Sequence, residues 1–344
     1  MKTPLRFLRR MVVFAAAIFL ASGCCDRRSG TLEHFGGLAY FSLPWQASVR
    51  QPSGMSPEAL QADLQDALDR VNRSLSTYQD DSELMRFNRA ALNREIPASP
   101  VLWRSLQVAA EVSAASGGVY DVTVGPLVNL WGFGPTSVPA HIPANADIDA
   151  ARSRVDWRGI ALADRNMLIR RKDVTADLSS LGEGAGVDAL SERLWKQGVR
   201  DYLVSVAGTL RIAGRKPDGT LWAVAIERPD GSGQPWRILH LQGQIAVSTS
   251  GSYRNTRVID GMTFSHTLDP RTGRPVTHAG ISVTVVMPDS SATRADAWAT
   301  ALNALGPDAG YALAERRHLA ACFLVRTPSG FSPRFTSAFR RFLP

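Results

Sequence analysis

The chain has 344 residues, 44% of them hydrophobic and 20% charged, which suits one large folded domain or two smaller ones and excludes a disordered or collagen-like polymer. Its formal net charge is +8, but Lys2, Arg6, Arg9 and Arg10 crowd the extreme N-terminus; without those four it is +4, and no dense basic run remains, which argues against nucleic acid as a partner. Three cysteines do not make a disulfide framework.

The N-terminus has the pattern of an export signal: a basic stretch over residues 1–10, then an apolar run over 11–20 that is short for a membrane span. Ala21-Ser22-Gly23-Cys24 resembles a bacterial lipoprotein box, so residues 1–23 are expected to be removed and Cys24 acylated. That places the mature chain on the periplasmic side of a bacterial membrane. Cys25, where an Asp would signal inner-membrane retention, favours the outer membrane. Residues 24–37 are polar and Gly-containing and are expected to form a tether, with the folded domain over 38–344.

Ser56-Pro57 opens a helix, with Ser as N-cap and Pro at the first helical position. Leu60, Leu64, Leu68, Val71 and Leu75 follow at spacings of three and four, which predicts one buried face. Ser99-Pro100 opens a second helix, ended by Gly117-Gly118. Residues 118–133 are apolar, aromatic and rich in turn residues; they fit a segment lining a site, or a core strand followed by a Gly-Pro turn. A Pro-rich loop runs to about residue 147. Residues 177–188 lead into a helix that stops at Gly198. The glycines at its start suit either close helix packing or backbone amides facing an anion; they match neither a Walker loop nor a dinucleotide fingerprint.

From residue 201 to 247 the pattern turns to strands: Tyr202, Val204 and Val206 alternate, as do Trp222, Val224 and Ile226. Residues 248–275 concentrate chemistry. Ser248-Thr-Ser-Gly251 permits close backbone approach, and His266, Asp269, Arg271 and Arg274 follow on a turn-rich stretch. Residues 280–287 read as a strand and 291–305 as a helix. Asp296 and Thr300, four apart, share one helix face, which is either a site wall or an ordinary solvated face. Pro307 starts a further helix, and residues 319–325, with Cys322 as a buried small hydrophobe, read as the last strand. Helices and strands come in blocks, which makes the class α+β, without internal repeats.

Six segments, in order, resemble the ApbE family over about residues 67–331: Ser74-Leu-Ser-Thr-Tyr78 with Ser82 and Asn88; Gly118-Val-Tyr-Asp-Val-Thr-Val-Gly125 through Phe133; Asp177-Leu with Gly184 and Val187-Asp188; Ser248-Thr-Ser-Gly251; His266 with Leu268-Asp-Pro-Arg-Thr-Gly-Arg-Pro275; and Ala295-Asp296 with Ala299-Thr300. The resemblance implies a single compact ApbE-like (T-fold-like) domain of mixed and antiparallel sheets with packed helices. It implies Mg²⁺-dependent transfer of FMN from FAD to a Ser or Thr hydroxyl of a periplasmic or membrane redox protein carrying a flavinylation motif, with release of AMP. On the same grounds Mg²⁺ falls to Asp296, Thr300 and a backbone oxygen near Ser180; catalysis to His266 as base with Asp269 as orienter or helper; and flavin or nucleotide contacts to Tyr78, Val119, Tyr120, Asp121, Asp177, Glu183 and Thr267. The sequence departs from the pattern where the family usually has Lys and this chain has Glu183, and where a Gly-Gly-acid segment reads Ala207-Gly208-Thr209. The usual Ala-Met-Gly-Thr near the N-terminus is replaced by Gly37-Leu-Ala-Tyr-Phe41. A carboxylate at position 183 would repel FAD phosphates unless Mg²⁺ or another cation intervenes. Two rival functions share these residues: a flavin-binding or scaffold protein without catalysis, and a hydrolase splitting FAD into FMN and AMP.

Overall fold

A computed structural model describes residues 31–343 apart from 41, 51–53, 55, 135–137 and 289–290. The signal segment, Cys24 and the first part of the expected tether lie outside the described residues. The frame is an eight-stranded sheet whose strands lie side by side in chain order, every neighbouring pair antiparallel. They are β1 (Leu32–Ala39), β2 (Leu43–Arg50), β3 (Tyr202–Val206), β4 (Thr209–Ala213), β5 (Ile245–Gly251), β6 (Gly280–Pro288), β7 (Ala320–Thr327) and β8 (Gly330–Phe335). Long insertions carry the helices. Between β2 and β3 come α1 (Pro57–Leu75), α2 (Glu83–Arg89), α3 (Pro100–Ala115), α4 (Gly125–Leu130), α5 (Asn145–Arg152) and α6 (Gly182–Lys196), with a small sheet of Glu95–Pro97, Ile160–Ala163 and Met167–Arg170. Between β6 and β7 runs α7 (Ala292–Arg316). The class is α+β, as the block pattern predicts.

Because successive strand residues point to opposite faces, each central strand feeds two cores. Ala246 and Ala213 join Trp45, Val204 and Val206 under α1 and α6; Val247, Ile212 and Cys322 turn the other way, onto Trp222, Leu239 and Phe339. The central strand β6 is buried on both faces: every residue from Ile281 to Val286 is buried, the polar Ser282 and Thr284 included. A separate cluster of Leu127, Trp131, Ile148, Ile259 and Leu268 packs α4 and α5 under the β5–β6 connection.

The caps predicted at Ser56 and Ser99 form: Ser56 Oγ accepts from the Ala59 amide and Ser99 Oγ from Leu102. Ser291, expected as the first helical residue, is itself a cap, its Oγ accepting from the Arg294 amide. The break expected before Pro307 is a kink within α7, where Gly306 has φ +80°. Three expectations are corrected. Residues 32–37, expected in the tether, form β1, because their amides and carbonyls pair with β2 in full register. The strand at 319–325 is not the last: β8 follows and puts Phe331 and Phe335 against Trp236. Residues 118–133 contain no strand but turns and the short helix α4, with Pro126 in its first turn. Among the described residues no helix is long and apolar enough to cross a membrane.

Helices α6 and α7 meet at Gly184. A Cβ there would lie 2.5 Å from the Ala292 carbonyl oxygen and 2.6 Å from Thr293 Cα, so close packing accounts for this glycine. Gly184→Ala is expected to lower stability by about 1–3 kcal/mol, the usual cost of overpacking against backbone. Urea denaturation checks this; an unchanged midpoint would mean that the two helices can part freely.

Candidate active site

One face of α7 organises the site. Asp296, Thr300 and Asn303 stand at i, i+4 and i+7, nearly one above another on a 3.6-residue helix. Asp296 is only 8% exposed. Its Oδ2 accepts from the Gly184 amide at 3.0 Å and its Oδ1 from Ser248 Oγ at 3.1 Å. Thr300 Oγ1 reaches the Ser180 carbonyl oxygen at 3.4 Å. Asn303 Nδ2 donates to Thr267 Oγ1 at 3.2 Å and to Ser252 Oγ at 3.3 Å. The solvated-face alternative for Asp296 and Thr300 is therefore excluded. Burial, reinforced by the nearby Glu183 carboxylate, holds the Asp296 carboxyl well above the usual carboxylate range.

The start of α7 is fixed by Asp188 of α6. Its carboxylate accepts from the Ala292 amide (2.8 Å), the Thr293 amide (3.0 Å) and Thr293 Oγ1 (2.7 Å), and pairs with Arg211 at 3.1 Å. Sequence reasoning quoted Asp188 within a motif but gave it no task. A cap supplied from another helix leaves no local signal, whereas Asn303 could have been found from its spacing to Asp296.

Glu183 does not stand free. Its Oε2 accepts from the Gly208 amide at 3.0 Å and from Thr209 Oγ1 at 3.4 Å, so the two departures from the family pattern touch each other. Thr209 Oγ1 is in turn 2.8 Å from Ser248 Oγ. Burial raises the Glu183 carboxyl above its ordinary value, partly offset by Gly208, Thr209 and Arg254.

The side chains fit a small hard cation. Asp296 supplies a carboxylate, Thr300 a hydroxyl and Ser180 a backbone carbonyl, all oxygen donors of the type Mg²⁺ takes. Among the described residues there is no group of three His, Cys, Asp or Glu side chains that could hold a metal, so any cation here depends on this mixed set. Among the described residues the buried Asp296 carboxylate has the Gly184 amide and the Ser248 hydroxyl as partners and no ion pair, the situation in which a bound cation relieves most.

The β5–β6 connection holds His266, after the ribbon Thr256–Ile259 and Met262–Ser265. His266 Nδ1 lies 3.1 Å from the Asn255 carbonyl oxygen, which makes Nδ1 the protonated nitrogen and leaves Nε2 as an acceptor. Burial, with a smaller contribution from Arg257, lowers the His266 pKa below 6.5, against the opposing effect of Asn255. Asp269 is not its orienter. That carboxylate is held by Arg271, with Arg271 Nη2 2.8 Å from Oδ2, and Asn255 orients the ring instead. The correction follows from the tight turn after Asp269, where the Thr272 and Gly273 amides donate to the Asp269 carbonyl and bring Arg271 back onto the carboxylate.

The other predicted contacts divide. Tyr78 is 68% exposed, so it is not packing residue for α1 and its ring is free. Asp177 uses Oδ1 on the Ser179 amide and sits between the Val122 carbonyl, which its amide meets, and Ser180. Val119 and Tyr120 are buried, and Tyr120 Oη lies 2.9 Å from Ser180 Oγ, so Tyr120 backs the Ser180 turn rather than facing a ligand. Asp121 holds the Thr123 amide and hydroxyl and the Trp157 amide. Thr267 is buried on Asn303. Internal hydrogen bonds thus engage the side chains of Tyr120, Asp121 and Thr267, and Val119 is buried.

The model of the ApbE family matches residues 41–323. The chain is 33% identical over 336 residues to the FAD:protein FMN transferase of Vibrio cholerae serotype O1, covering 98% of this chain and 99% of the relative. It is 37% identical to the FAD:protein FMN transferase of Salmonella typhimurium, covering 96% of both. Among solved structures it resembles the apo form of the Pseudomonas stutzeri flavinyl transferase ApbE, with a TM-score of 0.83, 38% identity, and 92% of this chain and 98% of the other covered.

A lowered His266 pKa has a definite sign. The ring stays neutral to lower pH than a free histidine, so Nε2 is available as a base throughout the neutral range and is lost only as pH falls below 6.5. NMR titration of the His266 ring is expected to give a midpoint below 6.5; a midpoint at or above it would contradict the packing described here.

Proposed function

The chain belongs to the ApbE family, and from that premise we propose that it transfers the FMN portion of FAD to a Ser or Thr hydroxyl of an acceptor redox protein and releases AMP. The observation that carries the reading is that α7 serves both halves of such a site. Its Asp296 and Thr300 stand with the Ser180 carbonyl, and Asn303, one turn on, holds the residue next to His266.

In this reaction His266 Nε2 accepts the proton of the acceptor hydroxyl as its oxygen attacks the FMN phosphorus. The bond from that phosphorus to the bridging oxygen breaks, and AMP leaves with the electron pair. Asn255 keeps the ring in the tautomer that can accept. Asp296, Thr300 and the Ser180 carbonyl would hold Mg²⁺, which when bound neutralises pyrophosphate charge. Glu183 Oε2 is turned onto Gly208 and Thr209. Exposed Tyr78 and the remaining oxygen of Asp177 are available to the flavin and nucleotide. The export signal and Cys24 support a lipid-anchored protein on the periplasmic side, at the outer membrane more than the inner.

The test mixes the protein with FAD, Mg²⁺ and an acceptor domain and reads the intact mass of the acceptor. A gain of one FMN unit, abolished by chelator and by Asp296→Asn, is expected. His266→Ala should slow transfer by about a hundredfold or more, the usual contribution of a positioned base. AMP released steadily without acceptor would favour the hydrolase instead, and no mass gain with the acceptor present would overturn the reading.

A further inference from the structure

Glu183 is a carboxylate beside the site to which the transfer step gives no task. It ends a run of oxygens. From Asp296 Oδ1 to Ser248 Oγ is 3.1 Å, from Ser248 Oγ to Thr209 Oγ1 2.8 Å, and from Thr209 Oγ1 to Glu183 Oε2 3.4 Å. Three contacts need three protons, and each hydroxyl owns one. With both carboxylates ionised, two protons serve three contacts. When Ser248 donates to Asp296 and Thr209 to Ser248, Glu183 keeps only the Gly208 amide. Thr209 and Ser248 are fully buried, so water does not repair the deficit at the hydroxyls.

Charge is short as well as protons. Arg254 is the cationic side chain that acts on Glu183, and it is paired with Glu227. Asp296 makes no ion pair among the described residues, its partners being the Gly184 amide and Ser248 Oγ. Two carboxylates joined through hydroxyls therefore share one region without a cation of their own among the described residues, an arrangement costly to bury unless positive charge is supplied.

We propose that Glu183 sets the charge of the cation site: together with Asp296 it makes the site a dicarboxylate that takes up a divalent cation before any nucleotide arrives. Glu183 acts through Thr209 and Ser248 and through its field, as a positioning residue, while Asp296 makes the contact. A carboxylate at position 183 then draws the cation in, and FAD phosphates meet a site whose negative charge is already balanced. The inference rests on the assignment of the cation to Asp296, Thr300 and Ser180.

The probe is Mn²⁺ alone, titrated into the full chain without FAD and followed by the electron paramagnetic resonance of free Mn²⁺. The wild type is expected to take up Mn²⁺. Glu183→Gln, which removes the charge and keeps the shape, should raise the dissociation constant about tenfold or more, from the loss of one nearby charge acting on a divalent ion. Glu183→Asp, which keeps the charge, should retain most of the affinity. The inference is overturned if Glu183→Gln binds as the wild type does, or if Glu183→Asp is as weak as Glu183→Gln. It is also overturned if the wild type takes up no Mn²⁺ without FAD, a result that needs no variant to fold. Loss of binding in Asp296→Asn alone would sink this inference and leave the cation site standing. Retention in Asp296→Asn would remove both, whatever the transfer assay shows.

Discussion

The approach of α6 to α7 at Gly184 is the constraint on which the rest depends. Backbone meets backbone there, with no room for a side chain. The contact lets the Gly184 amide reach the Asp296 carboxylate, while Asp188, one turn further along α6, caps the first amides of α7. Two helices joined at both a cap and a carboxylate cannot slide against each other without breaking charge-assisted hydrogen bonds. Everything α7 carries is fixed with them.

What α7 carries is the polar face 296, 300, 303, set in a helix otherwise buried among apolar residues. The same burial that makes the helix rigid makes its carboxylate expensive to ionise. Three hydrogen-bonding groups soften that cost without cancelling it: the Gly184 amide, Ser248 and, beyond it, Thr209. On the opposite side the His266 ring meets the reverse condition. Burial disfavours its charged form, so it stays neutral and able to accept a proton. A raised carboxyl and a lowered imidazole have one cause, desolvation, which favours the neutral form of each group.

Much of the frame was legible. Ser56-Pro57, Ser99-Pro100 and Ser291 mark helix starts because capping is local: the side chain that satisfies the free amide sits three residues away. Less was legible where pairing is distant or burial two-sided. The strand β1 looked like a tether because its glycines and exposed positions hide the period, and only β2 supplies its partners. The segment 118–133 looked equally like a strand or a lining because apolar, turn-rich sequence has no clear period. Asp269 looked like the orienter of His266 because the two are close in sequence, yet a turn closes between Asp269 and Arg271 and directs the carboxylate away.

By itself the sequence determined the class, the starts of α1, α3 and α7, the family and the residue types at the site, since propensity, capping and spacing are properties of neighbours along the chain. Tertiary structure alone decided what those residues do to one another. Glu183 meets Thr209 across 26 residues and Asp296 meets Ser248 across 48; Asn255 orients His266 across 11. The reason is that a hydrogen bond or a pKa shift is set by distance and burial in space, and neither exists until β4, β5, α6 and α7 have packed together.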